Sequence, residues 1–173
     1  MIAVVRLADR READQLARLH RNAAIAGYRD IFPVEAPPPS YEEVLAQWEH
    51  WLGPGWESGH RAFVADPASE AGTGPLGVVV AGPDSTDDEL GHLTRLYVEP
   101  SVWGRGIGTQ LYGAAIDHMA EIGFPAVTLW VLETNARARS WYERLGWRAT
   151  GERKTVYAPA SIDDVGYRLE LRS

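Results

Sequence analysis

The chain reads as an α/β protein, with one mixed sheet carrying helices on both faces. Short apolar, β-branched runs alternate along it with segments of helical periodicity. The connections between them are rich in Gly, Pro, Asp and Ser, yet none is long or biased enough to separate two domains. Residues 1–173 are therefore expected to form a single domain.

Residues 2–6 are apolar and β-branched and open the chain as a strand. Asp9 caps the next element, and Glu12 three residues on completes the spacing of a capping box. Leu16, Leu19, Ala23 and Ala24 then recur with helical period. Residues 27–39 end in three prolines and cannot continue that helix. Ser40 and Glu43 form a second capping box, opening a helix to about residue 52 whose Val44, Leu45, Trp48, Trp51 and Leu52 share one face. Residues 61–66 and 76–82 read as two strands joined by a breaker-rich hairpin connection. A strand over about 91–98 is followed by a glycine-rich turn and a helix over about 108–122, which Gly123 and Pro125 end. An apolar strand (126–132), a helix (135–145, closed by Gly146) and two strands (148–157 and 165–171) complete the order.

Composition narrows the chemistry. The 173 residues include 17 basic and 24 acidic side chains, a net charge of −7, and no cysteine. Without cysteine there is no disulfide framework, no thiolate metal site and no thiol nucleophile, and no metal site is expected. The acidic balance argues against nucleic acid as a partner, since that needs a basic surface. No stretch approaches the ~20 apolar residues of a membrane span. A cytoplasmic protein is the simplest reading.

The segment VEPSVWGRGIGTQLY, residues 98–112, carries the most chemistry. A strand ends, glycines follow at 104, 106 and 108, and an amphipathic helix begins. Glycines permit positive φ and close approach of a ligand to the backbone. The free N–H groups of a helix start, with the helix dipole, favour an anion. Arg105 adds a forked donor suited to phosphate. The ATP-binding loop needs Lys and Ser/Thr after its last glycine, but Thr109 and Gln110 follow Gly108. The dinucleotide fingerprint needs Gly-x-Gly-x-x-Gly early in the chain, but the spacing is Gly-x-Gly-x-Gly and late.

These residues resemble the GNAT superfamily of N-acetyltransferases, which use acetyl-coenzyme A. The family's motif, Gln/Arg-x-x-Gly-x-Gly/Ala, reads here Trp103-Gly-Arg-Gly106-Ile-Gly108, with Trp103 in place of Gln or Arg. The strand LTRLYVEP is similar to the family's fourth, and LWVLETNARARSWYERLGW to its fifth strand and following helix. The resemblance implies a mostly antiparallel mixed sheet whose fourth and fifth strands splay apart to admit the pantetheine arm. It implies that backbone groups of Leu96, Tyr97 and Val98 pair with that arm, the Leu96 N–H lying near the thioester oxygen. Gly104, Arg105, Gly106, Ile107, Gly108 and Thr109 would hold the pyrophosphate. Asn135, Ala138 and Tyr142 would face the coenzyme, Tyr142 beside its sulfur. Such proteins are often homodimers, although nothing in the sequence marks an interface.

Acyl transfer to an amine needs a neutral amine, a stabilised oxyanion and a tolerated leaving thiolate. An alkylammonium titrates near 10.4, so a base is useful. His92 is the best candidate, with an unperturbed pKa of about 6.5 and a place on the fourth strand where several family members carry Glu. By simple alternation His92, Thr94, Leu96 and Val98 are expected on one face. A backbone N–H, that of Leu96, suits the oxyanion. Tyr142 is a donor for the thiolate. The pKa gap of about 1.5 units disfavours full proton transfer by roughly 2 kcal/mol, so it acts mainly by hydrogen bonding. Asp87, Asp88 and Glu89 precede the strand as a polar turn that could draw in a cationic amine.

The acceptor is expected to be a small, cationic amine. Residues 103–154 hold seven basic and five acidic side chains, a net of +2, which leaves −9 of the total −7 on the rest of the chain. Tyr28, Phe32, Trp48, Trp51 and Trp56 cluster in sequence. Trp48 and Trp51 have core spacing, whereas Tyr28 and Phe32 are assigned to the acceptor pocket. Two functions of different class fit: an enzyme transferring acetyl to a primary amine of a small molecule or peptide by direct attack in a ternary complex, and a non-catalytic acyl-CoA-binding module on the same fold.

Overall fold

The computed structural model describes residues 3–54, 59–68 and 74–171. Ile2, expected to begin the first strand, and Trp56 lie outside the described residues.

Seven strands form one sheet: β1 (Ala3–Leu7), β2 (Arg61–Pro67), β3 (Gly77–Pro83), β4 (Gly91–Val98), β5 (Ala126–Leu132), β6 (Arg148–Tyr157) and β7 (Ile162–Glu170). Their order is β1-β2-β3-β4-β5-β7-β6. Every neighbouring pair is antiparallel except β4 and β5, which are parallel. The helices are α1 (Ala13–Tyr28), α2 (Tyr41–Trp51), α3 (Ile107–Glu121) and α4 (Ala136–Arg144). Both capping boxes form, Asp9 with Glu12 and Ser40 with Glu43. The first differs from expectation in opening a single 3-10 turn, Arg10–Glu12, before α1 begins at Ala13.

The helices divide between the faces. On one, Ile107, Leu111, Ala115 and Met119 of α3 and Tyr142 of α4 pack on Val79, Ala81, Leu93, Val127 and Leu129. On the other, Leu16, Ala17 and Leu19 of α1 and Val44 and Trp48 of α2 pack on Ala62, Val64, Val78 and Val80. Trp48 is fully buried and Trp51 stacks edge-on against it with ring centres 5.1 Å apart, the core role expected for both.

Two departures from regularity shape the site. The first is the splay. β4 and β5 pair only at Gly91 with Val127 and His92 with Thr128. Beyond that point β5 stays bonded to β7 and β4 to β3, and a gap opens between them. The second is a bulge in β4. Ala81 pairs with Leu93 and Val80 with Arg95, so Thr94 is an extra residue. A bulge inverts the alternation after it. Leu93, Leu96 and Val98 consequently all face the α3/α4 side, while Tyr97 packs toward α1 and α2. The expectation that His92 shares a face with Leu96 and Val98 is therefore corrected. His92 bonds to Thr128, whose strand neighbours Val127 and Leu129 point into the α3/α4 core, so His92 lies on the α1/α2 side.

β7 begins at Ile162, three residues before the expected start, because Asp163 and Asp164 are held in the ladder rather than in a turn. Thr155 Oγ1 donates to Asp163 Oδ1 at 2.9 Å and Arg153 reaches the same carboxylate. The chain reverses instead at Ser161, with φ of +49°.

Candidate active site

Where the strands part lies a cleft of about 480 Å³, lined by the starts of α3 and α4 and, from the other face, by Ala23, Gly27 and Tyr28 of α1. Leu96, Tyr97 and Val98 of β4 form one wall, with Gly104, Gly106, Ile107, Gly108 and Thr109 at its end and Asn135 and Ala138 opposite. Arg105 is exposed beside the turn and is not part of the wall. Gly104 and Gly106 adopt φ of +75° and +82°, and a Cβ at either would meet no atom within 4 Å. Backbone conformation, not crowding, requires glycine there. α3 starts at Gly106 without a side-chain cap, so its first N–H groups remain available to an anion. Asn135 spends its side-chain oxygen differently, capping α4 by accepting from the Ala138 N–H at 3.1 Å, which leaves its NH₂ as a donor.

Trp103, at the position where the motif departs, also lines this cleft. Its indole N–H donates to the Val98 carbonyl at 2.7 Å, and Arg137 lies over its ring at 4.6 Å. The indole thus ties the turn to the end of β4, a contact that the motif alone does not reveal.

Tyr142 is buried between Trp141 and Trp147, whose ring centres are 4.9 and 5.7 Å away. It is absent from the cleft wall, where its neighbours Ala138 and Trp141 stand. Burial pushes its phenol well above the usual tyrosine range, with Tyr112 and Tyr97 adding to the shift. Tyr28 is raised first by burial and then by Tyr97, with Tyr142 contributing. Three phenols, from α1, β4 and α4, therefore converge where the strands part. Sequence reasoning named Tyr97 only for its backbone.

His92 sits at the root of the splay in a three-member chain. Its Nδ1 lies 2.7 Å from Thr128 Oγ1, which itself donates to Asp84 Oδ2 at 2.5 Å. Because that hydroxyl's proton goes to the carboxylate, Nδ1 carries the proton in the histidine bond and Nε2 keeps a lone pair. Burial pushes the imidazole down to about 4, which Asp84 only partly offsets. Burial raises the Asp84 carboxyl, but hydrogen bonds from Thr128 and Thr86 outweigh it and hold the group below the usual carboxylate range. His92 is thus neutral at pH 7. It lines neither cavity. Nothing in the spacing of Asp84, Thr128 and His92 pointed to this chain, because each comes from a different strand end.

On the α1/α2 side, a second cavity of about 550 Å³ is lined by Tyr28 and Phe32 among others. Their rings lie 6.1 Å apart. Tyr28 and Tyr97 line both cavities, so these two side chains stand at their junction. Asp164 of β7 contributes a carboxylate that sequence reasoning did not single out. Asp87, Asp88 and Glu89 form an exposed turn before β4. Among the described residues, no helix is long and apolar enough to cross a membrane.

Residues 22–147 match the model of the acetyltransferase (GNAT) family. A probable N-acetyltransferase of Mycobacterium tuberculosis is 31% identical over 104 residues, covering 58% of this chain and 58% of its own. A mycothiol acetyltransferase of Mycobacterium leprae is 33% identical over 124 residues, covering 58% of this chain and 40% of its own length. The chain thus spans between two fifths and three fifths of those two curated relatives. In structure it is similar to the PaiA N-acetyltransferase of Thermoplasma acidophilum, solved in complex with coenzyme A, with a TM-score of 0.74, 18% identity, and 99% and 100% of the two chains covered.

Proposed function

The chain belongs to the acetyltransferase (GNAT) family, and from that premise we propose that it is an acetyl-CoA-dependent N-acetyltransferase acting on a primary amine of a small molecule or peptide by direct attack in a ternary complex. One observation carries this reading: two separate cavities meet at Tyr28 and Tyr97, over the gap between β4 and β5. A module that only bound coenzyme would need the first cavity alone.

The residues present fit acetyl-CoA. The uncapped start of α3 and the two positive-φ glycines offer donors to a pyrophosphate, with Arg105 beside them. The unpaired edge of β4 offers strand-like partners to an extended arm. When bound, acetyl-CoA supplies an acetyl group activated as a thioester.

The remaining work falls to the chain. The Leu96 N–H, on the open edge, donates to the thioester oxygen as charge develops there. An ammonium acceptor has two protons to lose as its nitrogen bonds to the acetyl carbon and the carbon–sulfur bond breaks. The first passes to His92 Nε2 and on to solvent. About 13 Å of strand separates His92 from Leu96, so this transfer runs through water. Asp84 and Thr128 hold the imidazole in the tautomer that can accept. The second proton ends on the leaving sulfur. Tyr142, kept protonated by burial, hydrogen-bonds that sulfur rather than surrendering its own proton outright.

The test is amine-dependent thiol release from acetyl-CoA, with coenzyme binding measured by calorimetry. Tyr142→Phe is expected to lower kcat at least 10-fold with coenzyme affinity unchanged. If coenzyme binds but no primary amine, small or peptidyl, releases thiol above the hydrolysis rate, the chain is a binding module and the enzyme reading is wrong.

A further inference from the structure

The cavity on the α1/α2 side bears on what the amine is. At about 550 Å³ it has room for a compact organic molecule. Its wall is mostly apolar, with Ile25, Phe32, Val34, Pro37 and Val156 the main contributors. Three of these, Ile25, Val34 and Val156, are 41%, 99% and 43% exposed. Scattered apolar residues on a surface need no explanation, but these converge on one mouth.

Charge points the same way. Among the described lining residues the ionisable groups besides the phenols are Arg29, His20 and Asp164. Burial pushes His20 down to about 4, so it is neutral at pH 7. One guanidinium and one carboxylate remain, and the cavity's formal charge is zero although the chain carries −7. A polyamine would find one counter-charge and one like charge. A monoamine needs a single carboxylate. Asp164 is well placed for that role. Its side chain is 17% exposed, and its nearest cation, Lys154, is 3.9 Å away and also lies over Trp130. Burial raises its carboxyl and outweighs the opposing pull of Lys154 and Arg95, so its charge is under-solvated even with those two cations near it.

We infer that the acceptor is a small monoamine with an apolar, ring-bearing body, seated against Phe32 and Val156 with its ammonium paired to Asp164. This rests on the transferase reading. The body lies among Phe32, Pro37 and Val156, and Asp164, Tyr28 and Tyr97 lead the amino group toward the gap in the sheet. The acidity of the whole chain does not select the acceptor; the local balance of this cavity does.

Two measurements on the intact protein with coenzyme A or acetyl-CoA separate this inference from the reading beneath it. The first is calorimetric binding of 2-phenylethylamine and of spermidine to the coenzyme A complex. The second is thiol release with the same two amines. Phenylethylamine is expected to bind and turn over with kcat/KM at least 10-fold above spermidine. Phe32→Ala and Asp164→Asn are each expected to raise its KM about 10-fold with coenzyme affinity unchanged. Spermidine preferred over phenylethylamine in both measurements would overturn the acceptor class and leave the transferase intact. Phenylethylamine bound through Phe32 and Asp164 but never acetylated would overturn this acceptor class, and the transferase reading would fall with it only if no other primary amine released thiol. No binding of phenylethylamine, or binding insensitive to both variants, would overturn the inference.

Discussion

The two cavities that meet at Tyr28 and Tyr97 are built from different materials. The cleft where the strands part offers a run of backbone, namely the open edge of β4, the N–H groups at the start of α3 and glycines at +75° and +82°, beside the side chains of Trp103, Arg137, Trp141 and Arg144. The cavity on the α1/α2 side offers side chains brought from α1, the proline loop, β6 and β7. The titratable groups divide likewise. His20, His92 and Asp164, all perturbed by burial, lie on the α1/α2 side. On the α3/α4 side the shifted groups are the phenols Tyr112 and Tyr142, which burial keeps protonated, and the cleft there carries the cations Arg137 and Arg144. On the proposed reading, the backbone run serves the coenzyme that the family shares, whereas a side-chain site can be rebuilt for each acceptor without touching that run.

This contrast can be broken by acid. Both His20 and His92 are pushed from 6.5 to about 4 by burial. A depressed histidine stays neutral when folded while the unfolded chain takes up the proton, so stability is lost as pH falls from about 6.5 toward 4. Each contributes about 2 kcal/mol of loss between pH 7 and 5. Urea midpoints at the two pH values measure it. His20→Gln removes about half of the pH dependence, and a dependence unaltered by that change would mean that His20 is not held neutral.

Next in size is the base. His92→Ala is expected to lower kcat about 100-fold while coenzyme binding stays as it was. The wild-type pH–rate profile is expected to carry a low-pH limb near pH 4, set by the depressed His92 imidazole, and the variant is expected to lose it. A wild-type profile in the variant would hand the role to water alone.

A backbone site should respond to the backbone. Gly106→Val forces a β-branched residue to φ of +82° and is expected to weaken coenzyme binding about 10-fold, with the amine KM unmoved. Equal damage to both substrates would argue against two independent cavities.

The smallest effect sharpens the same point. Trp103→Phe keeps the ring but loses the N–H that binds the Val98 carbonyl. About 1 kcal/mol of stability is expected to go, read from thermal melts, with coenzyme affinity changed by less than about 3-fold. A larger loss of affinity would put a side chain among the principal coenzyme contacts.

The uneven legibility of the two cavities follows from the same difference. Helix periodicity, capping boxes and apolar runs are local, and they located every principal strand and helix within a few residues. The glycine turn was also legible, because positive φ leaves its mark in residue identity, here at Gly104 and Gly106. The Thr94 bulge left no such mark. One extra residue in β4 moved His92 to the opposite face from Leu96, and only pairing with β3 reveals it. The convergence of Tyr28, Tyr97 and Tyr142, and the chain from Asp84 through Thr128 to His92, likewise join residues far apart in sequence.

By itself, then, the sequence determined the order of elements, the glycine turn before α3 and the family, because those depend on short-range spacing and backbone conformation. The tertiary structure alone decided which face each β4 side chain occupies, which carboxylate enters the second cavity, and how the two cavities meet. Strand register and the packing of distant segments set those, and no local periodicity encodes them.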